Sequence, residues 1–177
     1  RGLGDVYKRQ TPPNAGAIRG VYFVDQDLGF LVAESFSDQQ VSFSLFTTTN
    51  QGAEWTSAPL ISYALTDPQA AVSRVHLQFL DRQTGWVVLK RATSINFNLG
   101  TVFRTANGGA SWQSAPGPAG EALLFIDPGV GFMAGGVQRN ILYRTTDGGA
   151  SWSPTALSFD FTDRVQLPNF VMADLGH

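Results

Sequence analysis

Two different phrases alternate along this chain in a fixed order, so the fold must be built from a repeated unit. The first phrase is Thr-x-[Asn/Asp]-x-Gly-x-x-Trp. It occurs from Thr48 to Trp55 (with Asn50 and Gly52), from Thr105 to Trp112 (with Asn107 and Gly109), and from Thr145 to Trp152 (with Asp147 and Gly149). The second is Phe-x-[Asp/Met]-x-x-x-Gly-[Phe/Trp/His]. Its copies begin at Phe23, Phe79, Phe125 and Phe170, spaced by 56, 46 and 45 residues. Each of the first three is followed by a Trp-ending phrase, and the fourth is cut off at Gly176-His177. A unit of this size cannot bury its own apolar face, so successive units must stack.

Residues 75–116 show what one unit contains. Val75-His76-Leu77-Gln78-Phe79-Leu80 alternates as a strand does. Asp81-Arg82-Gln83-Thr84-Gly85 is turn chemistry: the Asp bonds nearby backbone, and the Gly is read as supplying positive φ. Trp86-Val87-Val88-Leu89 is a second, apolar strand, and residues 90–98 read as a loop. Thr101-Val102-Phe103-Arg104-Thr105 is a third strand, and Asn107-Gly108-Gly109 a tight hairpin turn. A fourth strand opens near Trp112 and is expected to end at Pro116. The other two units read the same way, with no helical periodicity of useful length. The fold class is therefore all-β: a β-propeller fragment with three complete four-stranded blades and the start of a fourth. The blades are placed at about 18–60, 72–116 and 121–156, with the next starting at 164–177.

In the Trp-ending phrase, Thr can bond backbone on both sides of the turn. Asn or Asp accepts N–H groups across the hairpin, Gly allows positive φ, and Trp folds back as an apolar plug between blades. Calcium binding by these turns is disfavoured, because two of the three copies carry Asn where several carboxylates are needed. Arg104 and Arg144, just before two of the turns, are expected to point outward.

The Trp-ending phrases resemble sialidase-type Asp-box (BNR) repeats. Their pairing with Phe-x-Asp-x-x-x-Gly-[Phe/Trp], and copies such as Leu142-Tyr143-Arg144-Thr145-Thr146-Asp147-Gly148-Gly149-Ala150-Ser151-Trp152, is similar to the photosystem II stability/assembly factor-like family. The resemblance covers about residues 18–177 and departs from the pattern at Asn50-Gln51-Gly52. It implies a propeller of about seven blades, an exported protein (periplasmic, lumenal or extracellular) and a role in assisting assembly of a protein complex. The remaining blades of the same chain are then needed to close the ring. Asp-boxes also occur in sialidases and some glucan-degrading hydrolases, so a glycoside hydrolase with carbohydrate as substrate is the alternative. Residues 5–10 resemble a translated sequencing adapter, and residues 1–10 are therefore expected to be a scar. An open arc with uncapped blade faces is expected to self-associate or aggregate.

Composition narrows the partners. Without Arg1, Asp5, Lys8 and Arg9 the chain has 9 basic and 13 acidic residues, a net of −4, and Lys90 is its only lysine. That balance offers nothing to nucleic acid. No long apolar run or basic amphipathic helix suggests membrane insertion, and there is no cysteine for a disulfide or a zinc site. No cofactor or metal site is expected. A glycosidase needs a carboxylate pair, or a Tyr with a Glu in the sialidase case. Only Glu34, Glu54 and Glu121 remain as glutamates. None stands in a catalytic context, nor do Tyr22, Tyr143 or His76, so no catalytic residue is assigned. The two turns within each blade are expected on one face, and variable connections on the other. Lys90, Arg91 and Arg139 fall in those connections and are the candidate residues for binding a protein partner.

Overall fold

The structure, a computed structural model, describes residues 16–91, 99–118, 123–135 and 141–155. They form three four-stranded antiparallel sheets, each in simple up-and-down order. The first is β1 (Ala17–Phe23), β2 (Gly29–Phe36), β3 (Gln40–Thr48) and β4 (Thr56–Ala64). The second is β5 (Val72–Phe79), β6 (Gly85–Arg91), β7 (Leu99–Thr105) and β8 (Gln113–Pro118). The third is β9 (Leu123–Phe125), β10 (Gly131–Gly135), β11 (Ile141–Thr145) and β12 (Ser153–Thr155). The first strands pack side by side, β1 against β5 and β5 against β9. The sheets are thus consecutive propeller blades with their first strands innermost. The expected fourth blade lies outside the described residues.

Three strands run further than the sequence reading allows, β6 among them, which continues past Leu89 to Arg91. The fourth strand of blade 2 does not end at Pro116: it continues to Pro118, with Pro116 opposite Thr101 and Pro118 opposite Leu99. Each outer strand contains proline, at Pro59, Pro116 and Pro154. An outer strand has one edge with no ladder partner, so a missing N–H there costs little. Blade 1 likewise extends past residue 60 to Ala64. Its link to blade 2 is short and carries a single 3-10 turn, Pro68–Ala70, capped by Asp67 Oδ1, which accepts from Gln69 N–H.

Apolar clusters fill the gaps between blades. Phe30, Val32, Val41, Phe43 and Leu45 of blade 1 pack with Val75, Phe79, Val87, Leu89 and Phe103 of blade 2. Trp86, Val88 and Val102 of blade 2 pack with Phe125 and Met133 of blade 3. Two tryptophans plug between blades as expected, Trp112 in the first cluster and Trp152 in the second, whereas Trp55 packs against Leu31, Ala33 and Phe46 of its own blade.

The Phe-to-Gly phrase is the stacking element of these interfaces. Phe30 lies on Phe79 with centroids 3.6 Å apart and planes at 6°, and Trp86 lies on Phe125 at 3.7 Å and 4°. The aromatic after the glycine in one blade thus stacks on the phenylalanine that opens the phrase in the next. The glycine serves the same ring from its other side. A Cβ on Gly85 would sit 2.2 Å from the Phe79 ring, and one on Gly131 2.6 Å from Phe125. Neither glycine, nor Gly29, has positive φ. The turn-conformation role read from sequence is therefore replaced by a packing role: only hydrogen fits beneath the ring.

Candidate functional site

The two turns of each blade share one face, as expected. The backbone N–H groups of Gln51, Gly108 and Gly148 donate to Asp27, Gln83 and Gly129 carbonyls at 3.2, 2.8 and 2.8 Å. Within each Trp-ending turn the polar atoms are used internally. Thr105 Oγ1 accepts from the N–H groups of Asn107 and Gly109 at 3.2 and 2.9 Å and donates to Asn107 Oδ1 at 2.9 Å. Asn107 Oδ1 also accepts from Ser111 N–H at 2.9 Å. The turns at Thr48 and Thr145 repeat this set with Asn50 and Asp147. The Asp147 carboxyl is held far below its usual range, first by the Ser151 hydroxyl and N–H and then by the Thr145 hydroxyl. Among the described residues the one positive φ outside glycine is Gln51, at 60°, where the other copies have Gly108 and Gly148. Its side chain is anchored to Asp27 Oδ1 at 2.9 Å. Among the described residues no group of three or more acidic or histidine side chains could hold a metal ion.

These turns also lock blade to blade. Trp86 Nε1 donates to Gly148 O at 2.8 Å. The Arg104 guanidinium lies over the Gly148 backbone, where a Cβ would meet Cζ at 2.9 Å. Arg104 is half-buried between blades and does not point outward as expected, because the glycine pair leaves a flat surface for its planar group. Arg144 is exposed. On the inner strand, Gln78 Nε2 donates to Phe125 O at 2.8 Å and Gln78 Oε1 accepts from Phe125 N–H at 2.7 Å. Sequence reasoning missed Gln78, because it alternates with Arg74 and His76 on the polar side of β5 and no local signal sets it apart.

The opposite face carries the residues proposed for partner binding, and the structure separates them. Lys90 is not in a loop. It lies within β6, opposite Arg74 and Gly100, and is only 6% exposed. Alternation puts it on the Trp86–Val88 side of the sheet, away from Arg91. Arg91 ends β6 and is half-buried. Arg139 lies outside the described residues.

Arg91 is the centre of a cleft of about 310 Å³, whose walls include Gly100, Thr101, Ser114 and Pro116. Its guanidinium donates to Thr101 Oγ1 and lies 5.9 Å from the centroid of the Tyr63 ring of blade 1. Arg91 Nε is buried with no hydrogen-bond partner among the described residues. Burial pushes the Tyr63 hydroxyl up; the charge of Arg91 opposes this and Asp67 adds to it. The cleft therefore combines a half-buried cation and two hydroxyls, which suits an anionic group, while the Tyr63 ring flanks the same guanidinium.

The carboxylates weighed for catalysis are occupied elsewhere or out of view. Glu34, 5% exposed, pairs with Arg19 at 2.6 Å, and Arg19 also donates to Val72 O of blade 2 at 2.9 Å. The Glu54 carboxylate accepts from Asn50 Nδ2 at 3.4 Å within the first Trp-ending turn. Glu121 lies outside the described residues. Tyr22 packs against the first core cluster, Tyr143 is half-buried in β11, and His76 is half-buried in β5.

No family model and no curated protein matches the chain. Among solved structures it is similar to the GH74 xyloglucanase from Xanthomonas campestris, at 13% identity and a TM-score of 0.39. That match covers 85% of this chain, which spans 32% of the xyloglucanase. Likeness at this level carries no functional argument. Among the described residues no helix is long and apolar enough to cross a membrane.

Proposed function

We propose that these blades belong to a binding scaffold of the photosystem II stability/assembly factor-like type, exported, and engaging a protein partner through the face opposite the Trp-ending turns. The observation that carries the reading is the Arg91 cleft. On the turn face the Thr and Asn or Asp groups are spent on the fold, and Glu34 is spent on Arg19. Arg91 Nε is buried with no hydrogen-bond partner among the described residues, beside a cleft lined by hydroxyls. The partner chemistry that fits is an acidic protein segment, with a carboxylate received by the guanidinium.

The test is capture of partners by the intact chain, alongside Arg91→Glu and Arg91→Lys. Recovery of a defined protein should fall at least tenfold with Glu and less with Lys, since Lys keeps charge but loses the planar fork. Equal recovery by all three removes the cleft from the reading. Turnover of sialosides or β-glucans by the intact chain would favour the hydrolase reading instead.

A further inference from the structure

Asn107 is the only asparagine in this chain followed by glycine. In that pairing the Gly108 nitrogen can attack the Asn107 side-chain carbonyl carbon, because glycine puts no side chain in the way. The attack forms a C–N bond, the side-chain nitrogen leaves as ammonia, and a cyclic imide results. Water then opens the imide at either carbonyl. One opening gives aspartate, and the other gives isoaspartate, with the backbone running through the former side chain. The attacking nitrogen must first lose its proton, the same step that governs amide hydrogen exchange.

Both reacting groups are held in the closed turn. Gly108 N–H donates to Gln83 O, in the turn between β5 and β6, at 2.8 Å. Asn107 Oδ1 accepts from the Thr105 hydroxyl and from Ser111 N–H, each at 2.9 Å. Asn107 Nδ2 donates to Ser111 Oγ at 2.8 Å. Yet Asn107 is exposed, so water reaches it whenever the turn opens. The two products fit the turn differently. Asp147 holds the equivalent position in blade 3, where the Ser151 hydroxyl donates to its second oxygen. An aspartate at 107 therefore needs only a reversed Ser111 hydroxyl. Isoaspartate inserts an extra carbon into the backbone where Gly109 N–H must reach Thr105 Oγ1 and where Gly109 lies against Leu45 of blade 1.

We infer that Asn107 is a modification site gated by its own turn: inert while Gly108 N–H is bonded to Gln83 O, and deamidated when the turn opens. The aspartate product keeps the fold, and the isoaspartate product loosens the junction of blades 1 and 2. The other turns are not equivalent. Asn50 is followed by Gln51, whose side chain hinders the attack. Asp147-Gly148 closes the same imide only by losing water from a protonated carboxyl, and the donors around that carboxyl keep it charged.

The test incubates the full chain at mildly alkaline pH, folded and in urea, and follows residue 107 by peptide mapping and mass spectrometry. The folded chain should deamidate about 30-fold or more slowly than the unfolded chain, as expected when two hydrogen bonds must open first. Hydrogen exchange at Gly108 should show protection of similar size. Thr105→Val removes the hydroxyl bonded to Asn107 Oδ1 and should speed exchange and deamidation together. Ser111→Ala removes the partner of Asn107 Nδ2 and carries the test if circular dichroism shows that Thr105→Val has lost its sheets. Asn107→Asp should unfold at the urea concentration of the parent, whereas aged chain enriched in isoaspartate at 107 should unfold at a lower one. Equal deamidation rates in the folded and unfolded chains would overturn the inference. So would a folded variant whose exchange accelerates without its deamidation, or an Asn107→Asp chain that unfolds as early as the isoaspartate form.

Discussion

Replacing Gly85 by alanine should destabilise the chain, although its backbone conformation accepts any residue. The added methyl would lie 2.2, 2.4 and 2.5 Å from Cδ1, Cε1 and Cγ of Phe79. Ordinary contact requires a shift of about 1 Å, more than side-chain packing absorbs without strain. Phe79 has nowhere to go: it is 1% exposed and pinned at 3.6 Å by Phe30, itself fully buried. Overpacking of this kind costs about 1–3 kcal/mol. Removing a glycine from the unfolded chain offsets about 0.4–1 kcal/mol of that. The net expectation is a loss of about 1–2 kcal/mol in urea unfolding. Gly131→Ala, beneath a Phe125 ring pinned by Trp86, should behave alike. Gly29→Ala should be close to neutral, because Phe23 is exposed and can swing away. In a Phe79→Leu background most of the Gly85→Ala penalty should disappear. A turn-conformation role would make the three glycines cost the same, independent of the ring. Equal losses at Gly29 and Gly85, or no coupling to Phe79, would refute the packing argument.

Thr105→Val leaves the buried N–H of Gly109 without its acceptor; a loss of about 2–3 kcal/mol is expected in denaturant unfolding, with Thr105→Ser well below that. Gln78→Met removes both bonds to the Phe125 backbone and should cost about 2–3 kcal/mol, with faster amide exchange in β9 than in β2. Asp147 has a folded-state pKa below its ordinary 3.8, so its stabilisation is present above that pH and is lost as pH falls through the lower value. Asp147→Asn should fold, since Asn serves at 50 and 107. Its stability difference from the parent should shrink below pH 3.8, and a difference independent of pH would show that the carboxylate charge is irrelevant there.

What was legible in the sequence was local. The Trp-ending turn closes its hydrogen bonds within seven residues, Thr105 with Asn107 and Gly109, and Asn107 with Ser111. Its residue types therefore specify its geometry wherever it occurs. Strand order, the shared face of the two turns and the tryptophan plugs followed from repetition of that unit. The candidate site was read less well. Lys90 and Arg91 adjoin in sequence, but the pleat sends them to opposite sides of β6, and the strand runs two residues past the apolar stretch that marked it. Arg91 kept its place on the expected face, where Tyr63 of the neighbouring blade completes its surroundings.

The sequence by itself determined the repeating unit, the blade count of the arc and the chemistry of each turn, because these depend on residues a few positions apart. Only the tertiary structure decided which rings stack across blades, and why glycine sits beneath them. It alone brought Gln78 to Phe125, Trp86 to Gly148 and Arg19 to both Glu34 and Val72. These contacts join residues 15 to 62 positions apart, and no local pattern encodes the distance between them. The same packing that buries Phe79 and Phe125 leaves Phe23 exposed at the end of the arc, a difference invisible in three nearly identical phrases.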